Sequence, residues 1–121
     1  MSPGELAASL RQGARGHTAS EAAVELLVWH EYWIRRMAFH PDTLHVDRQG
    51  DVDWVDLALA IVRDEIHASS SELKILQVAC SLMGVLAVDL RDCLAGLGPA
   101  TLGAVLTAMA QANGNTDVFP R

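Results

Sequence analysis

Residues 70–114, SSELKILQVACSLMGVLAVDLRDCLAGLGPATLGAVLTAMAQANG, read as three helices separated by two turns, and they decide the fold class. Ser69-Ser70-Ser71-Glu72 has the form of a capping box, in which a hydroxyl takes the amide hydrogen three residues on and the glutamate returns the bond. The helix that starts there is predicted to end at Gly84, a residue that accepts the left-handed conformation of a helix stop. Asp89 caps a short helix to about Ala95, and Gly98-Pro99 opens a third, since proline fits a first turn where no donor is needed. On the helix over about 70–83 only Ser70, Lys74, Gln77 and Ser81 form a polar strip, with Leu76, Ala79 and Met83 in the middle of a wide apolar arc. That helix is expected to be central and the most buried. The helix over 99–113 carries one core stripe, Leu102, Val105, Leu106 and Met109; the rest of its surface is Gly103, Ala104, Thr107, Ala108, Ala110 and Gln111.

Upstream, Thr18-Ala-Ser-Glu21 offers another capping box, and the helix it opens is predicted to run to about Phe39, stopped by His40-Pro41. At about 100° per residue, Ala23, Leu26, Leu27, His30, Trp33, Ile34 and Met37 gather on one face of this helix. A loop follows in which 44–46 and Val52 pair briefly across a turn at 47–50, and Asp53 caps a helix to about His67. Residues 1–17, with three glycines and a proline around one short helical possibility, are read as a flexible N-terminal arm. The expected organisation is therefore an arm (1–17), a single all-α domain (18–114) built as a bundle of about five helices, and a tail (115–121).

Length and composition agree. A chain of 121 residues, half of them apolar, can bury one core without staples. The net charge of −6 is uneven, with six basic and eleven acidic groups up to residue 68 (net −5) and three against four beyond it (net −1), so neither part is built for nucleic acid or anionic lipid. Cys80 and Cys93 lie in apolar helical patterns without zinc spacing, which implies a reduced, cytoplasmic setting. The longest apolar run, between Ile75 and Val88, is broken by Gln77, Ser81 and Gly84, so no membrane contact is expected.

Sites for chemistry are few. His30-Glu31 begins an H-E-x-x-H pattern, but the second histidine position is Ile34. His30 and Glu65 both project onto apolar helical faces and form a candidate buried polar pair; the competing reading is a histidine satisfied by a backbone carbonyl, with Glu65 reaching solvent. The loop holds weak metal candidates in His40, His45 and Asp47, set against their being solvated loop residues. An EF-hand register counted from Asp47 fails at Val52 and Ala58, where a glycine and a glutamate are required. Ser69, Ser70 and Ser71 lack a nucleophile elbow, and apolar surroundings raise rather than lower a cysteine pKa. Neither an enzyme nor a cofactor is expected.

Residues 70–114 resemble the helix-turn-helix of winged-helix regulators in spacing and apolar positions. The resemblance implies a DNA-associated regulator, but Ala100, Thr101, Gly103 and Ala104 stand where base readers and phosphate clamps would be. Lys74 and Arg91 are the only cations of that stretch, so the outline is degenerate and nucleic acid is not expected as a partner. Together with Trp29-x-x-x-Trp33 and Asp53-Trp54, the same stretch resembles small helical proteins of actinobacterial genomes, a likeness that carries no activity with it. What remains is surface. Val24, Val28 and Tyr32 recur at i, i+4 and i+8 among Glu21, Glu25, Glu31 and Arg35, which predicts an exposed stripe for a protein partner or a second copy. The expected role is protein-protein association, as a homo-oligomer or adaptor; the alternative is DNA-associated regulation.

Overall fold

In a computed structural model the described residues are 1–114; the expected tail, 115–121, lies outside them. They form seven α-helices with one isolated bridge and one contiguous cluster of buried side chains. The all-α expectation is met, and the count of about five is corrected in two places.

The first correction is the arm. Residues Pro3–Ala14 form helix α1, opened by a capping box: the Ser2 hydroxyl accepts the Glu5 amide at 3.1 Å and the Glu5 carboxylate accepts the Ser2 amide at 3.2 Å. Leu6, Ala7, Leu10 and Ala14 lie on one face and are buried. The Arg11 guanidinium grips the Glu25 carboxylate with two hydrogen bonds, of 2.6 and 3.2 Å. The Ser9 hydroxyl donates to the Gln49 carbonyl at 3.0 Å, tying the 47–50 turn to α1. Gly50 makes that approach possible: its φ is +82°, and a Cβ there would meet Met1 Sδ and Ser9 Oγ at 2.9 Å.

The second correction is the long helix expected over 18–39. It is two helices, α2 (Thr18–His30) and α3 (Tyr32–Phe39), broken at Glu31 with φ 54° and ψ −42°. Neither glycine nor proline marks the break. Tertiary packing holds it, because beyond Glu31 the Trp33 side chain is fully buried and its indole donates to the Glu72 carbonyl at 2.8 Å. The Thr18–Glu21 capping box does not form; His17 is the cap residue, and the Thr18 hydroxyl donates to the Ala112 carbonyl at 3.2 Å, joining the start of α2 to the far end of the chain.

The remaining elements follow the expected signals closely. The bridge pairs Val46 with Val52. Asp53 caps α4 (Trp54–Val62) by accepting the Asp56 amide at 3.0 Å, although α4 stops short of His67. Ser69 and Glu72 form their capping box at the head of α5 (Ser70–Leu82). Asp89 caps α6 (Leu90–Leu94), and α7 (Pro99–Asn113) runs from Gly98 to a left-handed stop at Gly114. As expected, α5 is central: Ile75, Leu76, Val78, Ala79 and Cys80 are buried, and the helix packs against α2, α3, α4, α6 and α7. Lys74 Nζ donates to the Ala95 carbonyl, pinning the α6–α7 connection to α5.

The orientation of α7 differs from its expected stripe. Val105, Ala108 and Ala110 are buried, whereas Leu106 and Met109 are each 38% exposed. Of the expected stripe only Val105 is fully buried, and Ala108 and Ala110 join it in place of Leu106 and Met109, because α2 is the helix that α7 packs against most extensively and α2 itself buries Ala22 and Ala23 completely. Side chains this small let the two backbones approach closely.

Candidate functional site

The three residues expected to form an association stripe do not form one. Val24 is 3% exposed and belongs to the core, because α1 lies over that face of α2. Val28 and Tyr32 are half-buried against the core; the Tyr32 ring stands edge-on to Trp33 at 4.9 Å, and its hydroxyl accepts from Arg36 at 3.3 Å. The helical projection failed on two counts: it took 1–17 to be detached, and it ran without interruption through Glu31.

The His30–Glu65 pair is not formed either. Because α4 ends at Val62, Glu65 lies beyond it and is exposed. His30 sits half-buried, its ring 6.2 Å from that of Trp29 and 6.1 Å from that of Tyr32. Its Nδ1 is buried with no hydrogen-bond partner among the described residues. Burial pushes its pKa below the ordinary value, and the nearby Glu72 carboxylate opposes that shift.

The loop candidates are also kept apart. The Asp47 carboxylate accepts the amides of Gln49 and Asp51 at 2.9 and 3.0 Å and so builds the turn, His45 is half-buried at φ 57°, and His40 is exposed. Among the described residues no group of three or more His, Cys, Asp or Glu is placed to hold a metal ion. Cys80 and Cys93 are buried free thiols; burial pushes Cys80 up to about 12 and raises Cys93 as well, which suppresses thiolate nucleophiles. The exposed residues of α7 are Pro99, Ala100, Gly103, Leu106, Thr107, Met109 and Asn113, none of them cationic. No helix among the described residues is long and apolar enough to cross a membrane.

The feature that sequence reasoning missed is on α4. Val55, Leu59 and Val62 are exposed by 59, 42 and 66% and recur at i, i+4 and i+7, so they form one continuous ridge. The opposite side of α4, with Leu57, Ala58 and Ile61, is buried. A helix apolar on both sides has two things to cover, and the spacing was legible in WVDLALAIV for a reader who counted both faces. At Val62 the ridge continues into a groove lined by Ile61, Gln77, Leu86, Val88 and Asp92. Asp56 and Arg63 stand exposed along one flank, and neither enters an ion pair among the described residues. A second apolar area surrounds Trp29, which is 48% exposed and forms one wall of a groove between α2 and α7 with Ala104, Thr107 and Gln111.

The chain matches no family model, no curated protein and no solved structure.

Proposed function

We propose that the protein acts by associating with another protein chain, as a homo-oligomer or an adaptor, and that the apolar ridge of α4 is its docking surface. The observation that carries the reading is the run of Val55, Leu59 and Val62, three large apolar side chains in helical register left to water on an otherwise charged surface. Covering the exposed part of each is worth roughly 1 kcal/mol at about 25 cal/mol per Å², enough for a specific, reversible contact once neighbouring atoms join it.

The test is the double variant Leu59→Glu with Val62→Glu. Its circular dichroism and melting temperature should match the parent, since both positions face solvent, while association measured by light scattering or by co-purification should be lost. Unchanged association would refute the assignment of the surface. DNA-associated regulation through 70–114 is the weaker reading, because the outward surface of α7 offers phosphate nothing to pair with. Sub-micromolar, sequence-selective gel shifts at physiological salt would reverse that order.

A further inference from the structure

We propose that the partner on the α4 ridge is a second copy of this chain, bound with the two α4 helices antiparallel about a dyad between Leu59 and Ala60. The inference rests on the association reading above and adds the identity and direction of the partner. It comes from the charges that flank the ridge. Asp56 and Arg63 are seven residues apart, so they lie on the same side of the helix, offset by about 20°, and are separated by about 10.5 Å along its axis. That is too far for a bond to each other. Each is exposed, and neither is engaged in an ion pair among the described residues.

A twofold axis lying in the interface and perpendicular to the helices brings like flank against like flank while reversing the order of residues. With the axis between Leu59 and Ala60, residue n comes opposite residue 119 − n of the other copy, so Asp56 meets Arg63 of the second copy and Arg63 meets its Asp56. The ridge residue Leu59 falls at the centre, where the two leucines interdigitate, and Val55 and Val62 close the ends. A parallel pair, whose twofold axis runs along the helices, would instead set each flank against the opposite one and leave Asp56 and Arg63 without each other as partners. One helix face thus carries both halves of its own complement, the signature of an isologous contact. Stable dimers bury about 1,600 Å² in all, more than a nine-residue helix supplies, so the groove beside Val62 at 86–88 completes the interface and the dimer is a reversible one.

Sedimentation equilibrium on the full chain tests this with charge reversals. The parent should show a monomer–dimer equilibrium. Asp56→Arg alone and Arg63→Asp alone should each raise the dissociation constant about tenfold or more, since each places two like-charged contacts in the pair. An equimolar mixture of the two variants should dimerise within about threefold of the parent, because every contact between them is again of opposite sign. Asp56→Asn, which leaves the Asp53 cap intact, provides a second variant that removes the attraction without reversing it. A mixture no tighter than the separate variants, or single variants as dimeric as the parent, overturns the antiparallel pairing. A parent that stays monomeric to about 1 mM overturns self-association. In that case loss of partner co-purification by the Leu59→Glu, Val62→Glu variant still upholds the broader reading, whose failure is therefore seen separately.

Discussion

Leu76→Ala provides the sharpest test of the packing. Leu76 is 0% exposed in the middle of α5, the helix that touches most of the others. The substitution deletes three buried carbons, a transfer loss of about 2.4 kcal/mol at 0.8 kcal/mol per carbon. The cavity left among close-packed neighbours adds to it, placing the total at about 3 to 4 kcal/mol, within the 2 to 5 observed for such truncations. For a domain of this length that lowers the melting temperature by about 10 to 15 °C. The same change at Leu59, 42% exposed on α4, deletes carbons that are only partly covered and should cost about 1 kcal/mol, with no closed cavity to add to it. Urea unfolding of the two variants, at a protein concentration where the chain is monomeric and with unchanged m-values, reads the difference directly. A Leu76→Ala shift below about half a kcal/mol, or equal shifts for the two variants, would refute the central position of α5.

Three further outcomes are expected. Glu31→Gly should stabilise the protein by about 1 kcal/mol in urea unfolding, because φ 54° with ψ −42° strains any residue with a Cβ and the lost Arg35 pair is exposed; destabilisation would show that the break is not strained. Since burial lowers the His30 pKa, the unfolded chain takes up this proton first; the melting temperature should hold above about pH 6.5, fall as the pH drops below it, and lose the His30 part of that slope in His30→Leu. Removing residues 1–15 should lower the melting temperature by more than about 10 °C or prevent folding, since it uncovers the faces that Leu6, Leu10 and Ala14 fill; a truncated chain that melts like the parent would restore the detached-arm reading.

The sequence was most legible where the chain satisfies itself locally. The Ser69–Glu72 box, the Asp53 and Asp89 caps, the Gly98-Pro99 start and the Val46–Val52 bridge all depend on residues within a few positions of each other, and all were found. It was least legible where a distant partner decides. Nothing near Glu31 breaks a helix; the indole of Trp33 reaching Glu72 does. The short amphipathic signal of Leu6 and Leu10 gains its meaning from α2 and α3 lying against it. Exposure on α7 was misjudged because size was taken as a guide to burial, whereas the alanine-rich surface of α2 selects Ala108 over Met109. The candidate surface was misplaced for the same reason: once α1 covers Val24, the unpaired ridge is on α4.

The pairing of α2 with α7 has a temporal consequence. These helices form the most extensive helix contact, yet they lie near opposite ends of the described chain, and the Thr18 hydroxyl bonds to a carbonyl 94 residues away. Most helical bundles join neighbours in sequence and fold within microseconds to milliseconds. Here the seam cannot close until synthesis has passed Asn113, several seconds after α2 has emerged at about 5 to 20 residues per second. For that interval Leu26, Leu27 and the paired alanines of α2 have only α1, α3 and α5 to cover them. The nascent chain is therefore open on the side where α7 will lie until that last helix arrives.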